Sequence, residues 1–308
     1  VPVLAFHGVL PDADASPFNA TGKFISPARL RTFLESASRI FRMVSVDEFI
    51  DSALAGRRLR NAMVLTFDDG YANAYDYAFP LLRQLGMPFA VFVTTGLIDT
   101  DGVLWNDLLE FAVQTTRKSV FRADVLPGQV AIETRADRLS AIARLKNELK
   151  TRNLDEAWTC VKSLCDELDV DTDSPELDKV RFIRREQIRE MSEAGVVFGG
   201  HTVTHPILSK ESQDRVRSEV TDCKRLLEGI TGKQVWHFAY PNGRREDFND
   251  MVKRELRLAG YASSFASIRG PHRPGDDLLE IRRIAVLNHW TYAEFETRCS
   301  GILTAIRR

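Results

Sequence analysis

Short apolar runs, each followed by a helical pattern, recur along this chain and constrain its fold more than any other feature. The runs are VPVLAF (1–6), AMVLTF (62–67), MPFAVFV (87–93), GVVFGG (195–200), QVWHFAY (234–240), YASSFA (261–266) and IRRIAV (281–286). Several are continuous rather than alternating, as parallel strands buried on both faces are. Helical patterns fill the gaps. SPARLRTFLESASRI (26–40) opens on a Ser-Pro start signal, and VDEFIDSALAG (46–56), NAYDYAFPLLRQLG (73–86) and REQIREMSEAG (185–195) each stop at Gly. The stretch 210–232 carries Val216, Val220, Cys223, Leu226, Leu227 and Ile230 at helical spacing. Strands alternating with helices predict an α/β fold, a slightly irregular βα barrel of about seven strands.

Between about Leu104 and Val180 the rhythm stops. This stretch is charged and helical, with only VFRADV as a weak strand signal. It reads as a helical insertion (104–180) within a single barrel domain spanning 1–308, and DTDSPELD (171–178) reads as the polar hinge back to the barrel. A composition 44% hydrophobic and 28% charged excludes a disordered chain. A formal net charge of −1 argues against nucleic-acid binding and against a polybasic membrane anchor. The longest apolar runs fall far short of the ~20 residues of a spanning helix, so no transmembrane segment is expected. No leader is visible, which tips the expectation slightly toward the cytoplasm; a leader preceding Val1 would make it a secreted or envelope protein. Cys160, Cys165, Cys223 and Cys299 form no CxxC and read as free, mostly buried thiols.

Three segments carry chemistry. In LTFDDGY (65–71), Asp68 and Asp69 stand where a buried strand meets a Gly turn, the strand end at which βα barrels build their sites. Adjacent carboxylates repel, so the pair calls for a cation or a proton between them. In GGHTVTHP (199–206), His201 and His205 are four apart just after a strand, and Pro206 favours a loop or first turn there over a helix interior. One carboxylate and two imidazoles make a three-ligand set for a divalent metal with a position open for water. The remaining carboxylate is then a general base, and the chemistry is metal-assisted hydrolysis. In HFAYPNGR (237–244), a third strand ends in a turn able to aim a backbone N–H at a developing oxyanion.

TFDDGY, HTVTHP and FAYPNG, in this order and approximate spacing, resemble the motifs of the polysaccharide deacetylases, the NodB-homology family or carbohydrate esterase family 4. The opening VPVLAFHGV is similar to the first strand of many members, and the resemblance covers roughly 1–100 and 180–300. It implies a distorted (β/α)7 barrel and metal-dependent removal of N-acetyl groups from amino sugars of a polysaccharide or glycan precursor. It implies Asp68 as general base, Asp69, His201 and His205 as metal ligands, and the backbone N–H of Asn242 as oxyanion donor. Zinc is the metal expected, with cobalt, nickel or iron compatible with the same ligands.

Two departures matter. Where the family places an Arg that holds the base, this chain has Ala239. Arg282 or Arg283 on IRRIAV is expected to supply the cation, and the family's FAYP-type members favour Arg283. The general acid has two candidates: His289, in the Leu-Asn-His match at 287–289, and His7 after the first strand. Tyr71, Tyr240 and Trp105 (with Trp290) lie near expected rim segments and are candidate sugar-stacking rings. Two alternatives stand beside the deacetylase: a related hydrolase of a small cyclic or formyl amide, and a non-catalytic carbohydrate-binding relative.

Overall fold

The seven apolar runs form seven parallel strands: β1 (Val3–Phe6), β2 (Ala62–Phe67), β3 (Ala90–Val93), β4 (Val197–Gly200), β5 (His237–Ala239), β6 (Ser263–Phe265) and β7 (Ile284–Ala285). The computed structural model describes residues 1–273 and 275–299. Neighbours run β6-β5-β4-β3-β2-β1-β7, and the two-residue strand Arg42–Met43 pairs with the start of β2. A parallel bridge between Phe265 and Ile281 joins the two ends of the sheet. The sheet therefore curls into the irregular seven-stranded barrel expected from the sequence. Every residue of β1, β2 and β3 is buried, which is why their sequences are continuous apolar runs.

The helices in chain order are α1 (Pro27–Ser38), α2 (Val46–Leu54), α3 (Phe79–Gln84), α4 (Trp105–Thr115), α5 (Arg135–Leu149), α6 (Leu154–Glu167), α7 (Arg185–Glu193), α8 (Gln213–Thr231), α9 (Asp250–Leu258) and α10 (Tyr292–Cys299). Ser212 caps α8 by accepting from the Arg215 amide, and Gly232 ends it in the left-handed conformation. The pattern at 73–86 predicts one helix, but the structure has a π turn over Ala74–Ala78 before α3. Pro80 is the reason: it lacks an N–H and its ring crowds the preceding turn, so the chain loosens and Phe79 donates to Ala74 instead.

Strand alternation sorts the side chains into two cores. Leu4, Phe6, Met63, Leu65, Phe67, Val91 and Val93 belong to the larger apolar cluster that also contains residues of α1, α3, α7 and α8. Val3, Val64, Ala90, Phe92, Ala239, Phe265 and Ile281 belong to another, with Phe49 and Ile50 of α2. The insertion is not purely helical. Val120–Arg122 and Gln129–Ala131 pair as an antiparallel hairpin between α4 and α5. Its apolar cluster takes in Leu10, Phe18, Phe24 and Tyr71 from outside the insertion, so one core spans the junction. The hinge at 171–178 contains the start of a 3-10 turn, Pro175–Val180.

Candidate active site

Asp68 directly follows β2, in step with Val64 and Thr66 on one face of the strand. Its buried carboxylate is gripped at both oxygens by Arg283, Nη1 to Oδ1 at 2.7 Å and Nη2 to Oδ2 at 2.6 Å. Arg283 is itself 1% exposed and donates also to the Ala266 carbonyl and to Thr66 Oγ1. The cation absent at Ala239 thus arrives from the last strand segment, through Arg283 and not Arg282. Burial pushes the Asp68 carboxyl up, but Arg283 outweighs it and holds the group below its ordinary value.

Asp69, His201 and His205 converge. Asp69 Oδ1 lies 3.2 Å from His201 Nε2 and 3.3 Å from His205 Nε2, and one ligand atom from each falls within 4.8 Å of the others. His201 Nδ1 sits 2.7 Å from the carbonyl of Ala239, which can only accept, so that nitrogen carries the proton and Nε2 offers a lone pair. An imidazole lone pair facing a carboxylate oxygen repels it unless a cation lies among them. Two imidazoles, one carboxylate and an orienting carbonyl fit a divalent metal.

The backbone is strained where these ligands sit. Asp69, Thr202, His205 and Asn242 all have positive φ, between 59° and 70°. This region is costly for non-glycine residues, most of all for β-branched Thr202. Glu219 of α8 holds the loop there. It accepts from the amides of Val203 and Thr204 at 2.8 and 2.9 Å and from Thr204 Oγ1 at 2.6 Å, while Thr202 Oγ1 accepts from the His205 amide. Sequence reading passed over Glu219. Its signal was a carboxylate set among Val216, Val220 and Cys223 on the apolar stripe of a helix.

The other expected residues are placed unevenly. Asn242 lies in the turn after β5, and its amide has no acceptor among the described residues. His7 follows β1, and the charges acting on it include Asp69 and Asp68; burial pushes its pKa down, and its buried Nδ1 has no partner. His289 is exposed and packs over Gly22, close enough to Glu294 to act on its charge. No contact joins His289 to the Asp–His cluster among the described residues.

The three expected sugar platforms are corrected by the structure. Tyr240 is 1% exposed; its ring stacks on Phe248 at 4.1 Å and its hydroxyl donates to the Leu279 carbonyl. Trp105 is buried in the insertion core, as Trp290 is in the larger one. Tyr71 is fully buried between Phe24 and Phe182, and its hydroxyl donates to Asp107 Oδ2 at 2.5 Å while accepting from Lys23 at 2.8 Å. These apolar rings fill the space between packed layers. Lys23 and Asp107, a buried ion pair, were also missed: one lies in a loop and the other on an amphipathic helix, without a motif.

Residues 55–264, more than half of the chain, match the family model described as polysaccharide deacetylase. The chain belongs to the polysaccharide deacetylase family. It is 31% identical over 81 residues to the peptidoglycan-N-acetylmuramic acid deacetylase PdaA of Bacillus subtilis, covering 26% of this chain and 30% of that protein. The match thus spans under a third of that curated relative's length. Among solved structures it is similar to the Streptococcus pyogenes deacetylase PplD, with a TM-score of 0.64 at 18% identity over 97% of both chains. IcaB from Ammonifex degensii gives 0.61 at 19% identity over 97% of this chain and 95% of that one. At these identities the structural likeness is one of fold. For this polysaccharide deacetylase family member, the site argument rests on its own residues.

Proposed function

We propose that this protein is a zinc-dependent hydrolase that removes N-acetyl groups from amino sugars of a glycan. The observation that carries the reading is the buried Asp69–His201–His205 cluster with the Arg283-held Asp68 carboxylate immediately beside it. Family membership and the substrate type named for PdaA support it.

A zinc ion held by Asp69, His201 and His205 would polarise the acyl oxygen and acidify a water molecule. Asp68, kept ionised by Arg283, is the base that would take the proton of the water attacking the acyl carbon. The Asn242 amide, which has no acceptor among the described residues, donates to the oxyanion that forms. Collapse breaks the C–N bond, and the leaving amine takes a proton. His7 suits that last step better than His289, because it directly follows β1, whose Phe6 pairs with Phe67 just before Asp68 and accepts from the Asp68 amide. The products are acetate and the free amine.

The test is metal content paired with acetate release. About one zinc per wild-type chain, lost together with acetate release in Asp69→Ala/His201→Ala, is the expected result. Metal bound without acetate release from any N-acetylated glycan oligomer would redirect the search to formyl or cyclic amides. No metal in either protein after adding zinc would sink the mechanism and favour a carbohydrate-binding role.

A further inference from the structure

The end of the barrel opposite the Asp–His cluster carries a cavity of about 450 Å³, a volume in the range of small-ligand sites. Val197 and His237, the first residues of β4 and β5, line it. Asp69 and His201, by contrast, follow the last residues of β2 and β4. The strands are parallel, so the length of the strands separates the cavity from the cluster.

Two elements supply its polar wall. α2 gives Asp47 and Asp51, four apart and therefore on one helix face. The segment leading into β5 gives Lys233, Gln234 and Trp236. Trp236 is 46% exposed, unlike the buried Trp105 and Trp290. The Lys224 ammonium lies over its ring, 5.3 Å from the centroid, and nearly half of the residue is still open. Among the described residues, the Trp236 indole N–H, the Gln234 side-chain amide and the Asp51 carboxylate have no hydrogen-bond partner. Asp47 is held through one oxygen alone. His237 Nε2 lies 2.8 Å from its Oδ1, and that imidazole, 3% exposed, is fixed in turn by Ser263 Oγ 2.8 Å from Nδ1. The cation in the wall is already engaged, since Lys233 Nζ donates to the Ser192 carbonyl at 2.6 Å.

The cavity thus offers a half-open indole ringed by unengaged donors and acceptors. A sugar unit matches both parts. The apolar C–H face of its ring stacks on the indole, and the hydroxyls at its edge bond to carboxylate and amide groups. We propose that this cavity is a second sugar-binding site, which holds a neutral N-acetylated unit of the glycan at the end of the barrel away from the active site. Trp236 is its platform, and Asp47, Asp51 and Gln234 bond to the hydroxyls. The choice of glycan rests on the deacetylase reading. A long chain held there would be kept at a raised effective concentration near the catalytic end.

The test follows tryptophan fluorescence as a six-sugar oligomer of N-acetylglucosamine is added. Zinc-loaded Asp68→Asn protein is used, so that turnover does not consume the ligand. The oligomer is expected to change the emission with an affinity indifferent to salt, because the ligand is neutral. Adding Trp236→Ala is expected to remove the change, and Trp236→Phe to restore part of the binding. Asp51 is exposed on α2, so Asp51→Ala tests the wall without emptying a core; it is expected to weaken binding about tenfold. The fluorescence change is expected to persist in Asp69→Ala/His201→Ala. No change on adding oligomer, a change that survives Trp236→Ala, or one that disappears when Asp69 and His201 are replaced would overturn the proposal. Acetate release by the unmodified holoenzyme tests the chemistry separately. Trp236-dependent binding without acetate would remove the deacetylase reading and leave the second site standing. Acetate without Trp236-dependent binding would remove the second site alone.

Discussion

Two adjacent arginines in IRRIAV are distinguished by a side-chain period of two. Ile281 is fully buried in the cluster that contains Val64 and Phe92, and Arg283 lies on the same face two residues on. Its guanidinium meets Asp68 with both nitrogens of one edge, a fork that lysine cannot reproduce. Replacing Arg283 with Met leaves a buried carboxylate without its cation, which costs about 3–5 kcal/mol of stability, readable from the denaturation midpoint. The sign of the pH effect follows from the same contact. Burial pushes Asp68 up and Arg283 pulls it down, so without the arginine Asp68 stays protonated to higher pH. The acidic limb of kcat/KM is then expected to move upward by about one to three pH units. An unmoved limb would mean that Asp68 is not the base.

At the scale of elements, the proposed metal ligands hang from loops that other elements hold in strained conformations. His201 and His205 leave β4 on a loop whose Thr202 and His205 have left-handed φ. Glu219 on α8 satisfies two amides and a hydroxyl of that loop, and Arg215 one turn earlier donates to it at 3.1 Å. Removing it by Glu219→Ala leaves all three ligands present but lets the loop relax. Zinc affinity is expected to fall about 10–100-fold, measured by chelator competition. Unchanged affinity would assign Glu219 to α8 stability alone. The Lys23–Asp107–Tyr71 cluster plays the corresponding part for the insertion, tying α4 to the residues just after Asp69.

At the scale of the whole molecule, the three ligands meet only in the closed barrel. Asp69 and the two histidines lie far apart in the chain, and β2 and β4 reach each other through β3. Zinc held by these three residues, as proposed, would bind the folded state in preference to the unfolded one and stabilise the protein by mass action. With free zinc about 100-fold above its Kd, the gain is expected to be about 2.7 kcal/mol, visible as a raised Tm. The His201→Ala protein should show no such rise at the same zinc concentration. An equal rise in both would place the metal elsewhere.

The sequence by itself determined the strands, the barrel class and the carboxylate and two imidazoles that the fold brings together. Continuous apolar runs report burial on both faces, and DDG and HTVTH stand at strand ends where side chains can turn into the site. Whether a ring is a platform or core was not legible. Tyr71, Tyr240 and Trp105 look alike in sequence whether they face solvent or a neighbouring layer, and only packing shows that each is buried. The partner of Asp68 was narrowed to a pair of residues, and the register of the last strand decided between them. The placement of Glu219, Lys23 and Asp107 belongs wholly to the tertiary structure. Each acts on the site through space from an element remote in sequence, and electrostatic contact leaves no periodic trace along a chain.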